Sequence, residues 1–153
     1  MEDTIDRQPI EIVPFEAAHL ETLAELERQC FSSPWSYEGL LEELSNPMAV
    51  FRVALVDGKV VGYIGMHHVV DEGYITNIAV FEEFRRKGIG RLLLQELKDY
   101  GKENDMAFIT LEVRCSNLAA IELYRAEDFE VAGMRKGFYT GPTEDALIMT
   151  YTY

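Results

Sequence analysis

Positive charge is scarce in this sequence: 14 Lys and Arg stand against 27 Asp and Glu over 153 residues, a formal net charge of −13. That balance excludes the broad basic surface that counterion release on nucleic acid demands. No apolar run approaches the roughly 18 residues a membrane span needs. The opening stretch, MEDTIDRQPIEIV, is acidic and polar where a signal peptide would be basic and then apolar. A cytoplasmic protein, bound to neither membrane nor nucleic acid, is expected. Cys30 and Cys115 are far apart and form no C-x-x-C pair, as for incidental thiols in a reducing compartment. His67 and His68 adjoin on a strand and face opposite sides, and His19 lies in an amphipathic helix, so no metal site is expected.

Repeats, low-complexity tracts and Pro/Gly/Ser linkers are also lacking, which implies one domain over residues 1–153 with a flexible leader at 1–8. A short strand is expected around Pro9–Val13. Leu20, Leu23, Leu26 and Phe31 then recur at helical spacing. After the break at Phe31–Ser36, Ser36 can cap a second helix over Tyr37–Leu44, ended by Asn46-Pro47. Val50–Val56 and Lys59–Val70 flank Asp57-Gly58, a two-residue hairpin turn that favours positive φ at both positions. Gly73–Phe81 reads as a further strand. Ile89, Leu92, Leu93, Leu97 and Tyr100 mark a helix from about Gly88 to Glu103, and Phe108–Arg114 alternates as a strand. Asn117–Ala126 reads as helix, capped by Ser116 or Asn117. Strands near Phe129–Lys136 and Ala146–Tyr151 are joined by a loop containing Gly141-Pro142. The order β-α-α-β-β-β-α-β-α-β-β predicts an α/β fold on a mixed sheet of about seven strands with about four helices. The unit Gly73–Arg114 is then a right-handed parallel crossover.

Against the general acidity, Arg85, Arg86, Lys87 and Arg91 crowd around Gly88 and Gly90 at the start of a helix. A helix N-terminus already offers unpaired N–H groups and a partial positive charge. Adding cations there is unfavourable unless an anion binds, and glycines let a phosphate approach the backbone. The stretch reads as a phosphate or pyrophosphate cradle. The alternative is a solvated turn offset by Glu82 and Glu83. Neither G-x-x-x-x-G-K-[ST] nor G-x-G-x-x-G is present, since Leu93 stands where the third glycine would fall.

Arg85-x-x-Gly88-x-Gly90 resembles the Q/R-x-x-G-x-G/A motif of the GCN5-related N-acetyltransferases, or GNAT family, and the element order is that of the GNAT fold. N-I-A-V (Asn77–Val80), L-E-V-R-x-S-N-x-x-A-I-x-L-Y (Leu111–Tyr124) and P-W-S (Pro34–Ser36) look like its RimI subgroup, which acetylates protein N-termini, the eighteenth protein of the small ribosomal subunit being the name-giving substrate. The resemblance implies an acetyl-CoA-dependent N-acetyltransferase with a protein or peptide N-terminus as acceptor. It implies that the backbone of Ile78, Ala79 and Val80 holds the pantetheine arm. The N–H groups of Arg86, Lys87, Gly88, Ile89, Gly90 and Arg91 would hold the pyrophosphate, and Asn117 would bind the coenzyme from the next helix.

The resemblance further implies Glu112 as general base and Tyr124 as general acid. The chemistry agrees, because amide formation from a thioester needs a free-base amine and the departure of a thiolate. An α-amino group has a pKa of about 7.7–8.0, against about 10.4 for Lys, so an N-terminus needs little help from a carboxylate. A phenol can protonate a thiolate. Trp35, Tyr37, Phe138 and Tyr139 are candidate walls of the acceptor site, with ordinary packing as the alternative. Cys115 has no partnered base and reads as structural. Two departures from the subgroup stand out. Asp128 replaces a helix-ending glycine, and Gly137–Pro142 (GFYTGP) differs from the usual R-N-Y-Y-type segment. Acetylation of a small amine, a polyamine or a Lys side chain therefore stays open, as does a non-catalytic coenzyme-binding module.

Overall fold

The computed structural model describes residues 9–153; the leader expected at 1–8 lies outside the described residues. Seven strands and four helices follow in the predicted order. They are β1 (Ile10–Pro14), α1 (Leu20–Cys30), α2 (Tyr37–Glu43), β2 (Ala49–Val56), β3 (Lys59–Val69), β4 (Glu72–Val80), α3 (Ile89–Glu103), β5 (Phe108–Arg114), α4 (Leu118–Ala126), β6 (Glu130–Tyr139) and β7 (Glu144–Thr152). The local signals act as expected. Ser36 accepts the Gly39 N–H at 3.0 Å and caps α2. Asn117 accepts the Ala120 N–H and caps α4. Asp57 and Gly58 both take positive φ at the hairpin. Strand β6 runs to Tyr139, three residues past the expected end at Lys136.

The sheet order is β1-β2-β3-β4-β5-β7-β6, antiparallel except where β4 runs parallel to β5. Its two faces carry separate cores. Ile89, Leu93, Leu94 and Leu97 of α3 recur at i, i+4, i+5 and i+8 and pack with Ile121 and Tyr124 of α4 on Ile64, Met66, Ile109 and Met149. Leu20, Leu23 and Leu26 of α1 pack with Leu40 of α2 on Phe51, Val53 and Tyr63. Each fully buried Leu contributes about 1.5–3 kcal/mol relative to exposure.

Two irregularities open the sheet in its middle. Gly65 is opposite Asn77 but Met66 is opposite Ile75, so Thr76 is an extra residue bulged out of β4. The bulge inverts the alternation: Ile75 joins the α3 core, while Asn77 bonds to groups on the α1 side. Moreover, β4 pairs with β5 only over Glu72–Tyr74 against Phe108–Thr110. Beyond that point the strands part, and Ile75–Val80 has a partner on one side alone among the described residues.

Candidate active site

The N-terminal turn of α3 begins the site. Gly88 caps it in the left-handed region at φ 81, and Arg86 is also left-handed at φ 63. Left-handed Gly88 is sterically free, whereas an L side chain there is strained. The Leu92 N–H is bonded to the Gly88 carbonyl at 3.1 Å, so the amides of Ile89, Gly90 and Arg91 precede the first helical acceptor and point out of the helix end. Gly90 has a packing reason as well: a Cβ there would stand 3.0 Å from Leu123 Cδ2 of α4. Arg85 turns away from the helix end. Its Nε donates to the Val80 carbonyl at 3.0 Å and its Nη2 lies 3.3 Å from Cys30 Sγ. Arg91 reaches Glu127 at 3.5 Å.

The free edge of β4 leads away from this cradle. Because the Phe81 N–H donates to Val61 of β3, alternation turns the amides of Ile78 and Val80 to the open side. The amide and carbonyl of Ala79 turn toward β3, so of the three expected pantetheine contacts Ile78 and Val80 carry the outward groups. Asn117 spends its side-chain oxygen on capping α4, which leaves its NH2 as a donor.

At the fork between β4 and β5 lies Glu112. Its side chain is only 6% exposed, and both oxygens are engaged. The Tyr74 O–H of β4 donates to Oε1, and Arg135 Nε of β6 lies 3.1 Å from Oε2. Tyr74, opposite Thr110 at the last paired step of β4, is thus aimed at the residue two further along β5. Burial, then the bond to Glu112, pushes the Tyr74 phenol above its ordinary pKa. Burial also raises Tyr139, and the Glu112 charge adds to that. Tyr124 is 5% exposed on α4, its ring tilted against that of Phe129 with centroids 5.9 Å apart. Burial, followed by the nearby Tyr139, holds its phenol well above the usual value. Glu112, Tyr74, Tyr139 and Tyr124 form one neighbourhood drawn from four elements.

The acceptor-wall candidates divide. Phe138 and Tyr139 meet edge to face at 5.0 Å at the end of β6, beneath Arg135 and Arg114 respectively, at 5.5 and 4.4 Å. Arg114 also binds Glu144 at 3.2 Å and the carbonyls of Thr140 and Pro142, which fixes the GFYTGP loop. Trp35 is half-buried against Phe51 and Tyr37 is exposed at the start of α2. Sequence reasoning missed Tyr74, Arg135, Glu27 and Asn77. A Tyr on a strand facing away from the core was the available signal for Tyr74, and a carboxylate at i+4 from Leu23 and i+7 from Leu20 was the signal for Glu27.

A mixed sheet that parts beside a β-bulge, with a glycine-capped helix end close to the gap, is the kind of site that suits a phosphate-bearing carrier with an extended arm. Comparison with known proteins agrees. The sequence profile of the Acetyltransferase (GNAT) family matches residues 20–129. The chain is 34% identical over 140 residues to the [ribosomal protein bS18]-alanine N-acetyltransferase of Escherichia coli K12, covering 90% of this chain and 94% of that protein. It is 34% identical over 152 residues to the N-alpha-acetyltransferase RimI of Mycobacterium tuberculosis, covering 95% and 94%. The crystal structure of the E. coli ribosomal-protein-S18-alanine N-acetyltransferase superposes with a TM-score of 0.87 at 32% identity, over 94% of each chain. The chain belongs to the GNAT family. It is an N-acetyltransferase, with acetyl-CoA as its acetyl donor.

Proposed function

We propose that this enzyme acetylates the N-terminal α-amino group of a protein in the cytoplasm, with the N-terminus of ribosomal protein bS18 as the acceptor. The observation that carries the reading is Glu112, buried at the fork of β4 and β5 where the open strand edge ends. The names of the similar proteins from E. coli and M. tuberculosis support the choice of an α-amine.

The residues divide the work. The amides at 86–91 and the neighbouring cations hold the pyrophosphate, the outward groups of Ile78 and Val80 align the pantetheine arm, and the Asn117 amide adds a donor. Bound there, acetyl-CoA would supply an activated acyl carbon with a thiolate leaving group. Glu112 takes the proton from the incoming ammonium, directly or through one water. Tyr124 is protonated at neutral pH, as any phenol is, and burial only strengthens this, so it can act as a proton donor toward the leaving sulfur. Trp35 and Tyr37 on one side and Phe138 and Tyr139 on the other bound the acceptor.

The test is a panel containing a bS18 N-terminal peptide, the same peptide with a blocked N-terminus, spermidine and a Lys-containing blocked peptide, each with acetyl-CoA. Only the free-N-terminus peptide is expected to react. Turnover of spermidine or the blocked peptides alone would move the assignment to small amines or lysine.

A further inference from the structure

Glu27 is a buried carboxylate that the chemistry above does not use. It lies in the last turns of α1 and is 1% exposed. Three neutral donors meet it. The Trp35 backbone N–H reaches Oε1 at 2.9 Å, the Tyr63 O–H reaches Oε2 at 2.6 Å, and Asn77 Nδ2 reaches Oε2 at 3.3 Å. Asn77 Nδ2 also donates to the Tyr63 oxygen, and its own Oδ1 accepts from Thr76 Oγ1 at 2.6 Å. The amide orientation of Asn77 is therefore fixed by the bulged residue itself.

A buried carboxylate served only by neutral donors is a costly way to hold a core together; a packed apolar group of the same size would be equal or better. What the carboxylate does that an apolar group cannot is join three segments by direction. It ties the α1–α2 connection at Trp35, the middle of β3 at Tyr63, and β4 at the residue before Ile78. Trp35 in turn packs on Phe51 at 6.2 Å, the ring that also meets Phe15 and Tyr63.

We propose that Glu27 is a positioning residue for the acceptor: it sets the Trp35 side of the acceptor site at a fixed height above the opened edge of β4. This rests on the reading of Trp35 and Tyr37 as acceptor wall. Replacing the carboxylate by a carboxamide keeps the shape but turns one acceptor into an NH2 that faces a donor.

In Glu27→Gln, KM for a bS18 N-terminal peptide is expected to rise about ten- to a hundred-fold, the loss of one or two bonds to a charged group. KM for acetyl-CoA should change much less, within about two-fold, because β4 keeps its pairing with β3 on both sides of Asn77. Tyr63→Phe, which removes one donor and no carboxylate, should move acceptor KM the same way by less. Trp35 is the single tryptophan, so its emission reports the loop without any substrate. It should become more accessible to acrylamide in Glu27→Gln while the thermal transition stays cooperative. A lowered melting temperature with both KM values unchanged, or both KM values raised alike, would overturn the proposal. Parent protein that fails to acetylate the peptide at all would instead overturn the acceptor assignment, and the Trp35 quenching would still report on the positioning.

Discussion

Arg135 Nε sits 3.1 Å from Glu112 Oε2, with the arginine side chain 56% exposed and the carboxylate 6% exposed. The two residues come from strands separated by β7, and Phe138 supports the guanidinium from below at 5.5 Å. In this arrangement the cation compensates a charge that would otherwise be buried alone. On the proposed assignment of Glu112 as base, it also fills the position an acceptor ammonium would need. One cationic donor can replace another at the same oxygen without stranding the carboxylate, so on that reading acceptor binding would displace Arg135. For Arg135→Gln, acceptor KM is expected to fall about two- to five-fold, the scale of a solvent-screened pair, with acetyl-CoA KM unchanged. Steady-state kinetics with each substrate varied will check this, and a rise in acceptor KM would refute the displacement.

Glu112 and Tyr124 are expected to separate binding from chemistry. Glu112→Gln should lower kcat about 10²–10⁴-fold, the usual worth of a positioned acid or base. Tyr124→Phe should lower kcat by less, because water can protonate a thiolate. Coenzyme A binding, followed by calorimetry, should stay near the parent value in both. Unchanged turnover in the two variants would leave the enzyme without the assigned base and acid.

How far the sequence could be read depends on the range of the interaction. Helix caps at Ser36 and Asn117, the Asp57-Gly58 turn and the apolar stripe of α3 are local, and each falls where its spacing places it. Glu112 was reachable because it sits inside a contiguous block. Its partners were not, since Tyr74 lies 38 positions away and Arg135 comes from a strand that enters the sheet beyond β7. The Thr76 bulge is harder still to foresee. Alternation would put Ile75 and Asn77 on one face, and only the register against β3 reveals that they part. Glu27 falls at i+4 from Leu23 and i+7 from Leu20, so helical spacing alone puts it on the apolar face of α1; its partners on β3 and β4 are distant in sequence and were not legible.

The pH profile follows from the tyrosines. Burial raises Tyr124, and likewise Tyr74, Tyr139 and Tyr63. A phenol whose folded-state pKa lies above its unfolded value of about 10 adds stability that is complete below pH 10. That stability is lost as pH rises through the folded value. Tyr124 therefore imposes no descending limb on kcat/KM below about pH 10, and the ascending limb reflects deprotonation of an α-amine near 7.7–8.0. Activity should rise and level off between about pH 7 and 9.5, with chemical stability flat over the same window and falling above it. A descending limb centred near pH 10, in protein still folded by circular dichroism, would show that Tyr124 titrates as a free phenol.

At the cradle, Gly88→Val forces an L side chain into φ 81. The substituted Cβ would meet no atom within 4 Å, so crowding is not the issue. Strain of about 1–2 kcal/mol should instead rotate the amides at 89–91 away from their common focus. Acetyl-CoA KM is expected to rise at least ten-fold, with acceptor KM little changed. Calorimetric titration with coenzyme A alone provides a second reading of the same effect.

Asp128 ends α4 in the left-handed region at φ 71, and its backbone cost is offset by Lys98. Lys98 is buried on α3 and its Nζ donates to the Glu127 carbonyl at 2.9 Å. The same ammonium lies 3.7 Å from Glu127 Oε1 and 4.0 Å from Asp128 Oδ2. A cation at a helix C-terminus meets both the free carbonyl and the dipole. The bond to the carbonyl survives replacement of Asp128, and only the longest contact is lost. Asp128→Gly should therefore relieve about 1 kcal/mol of strain and raise the melting temperature by about 2–4 °C for a domain of this size. Lys98→Met removes the buried cation and leaves Glu127 only the exposed Arg91 at 3.5 Å, costing about 3 kcal/mol and about 6–12 °C. If the Lys98–Asp128 contact contributes at all, Asp128→Gly should gain more in the Lys98→Met background than in the parent, because nothing is then forfeited. Thermal melts of the two single variants and the double variant measure that difference directly, and a fall in melting temperature for Asp128→Gly alone would show that the aspartate is a better helix end than the glycine it replaces.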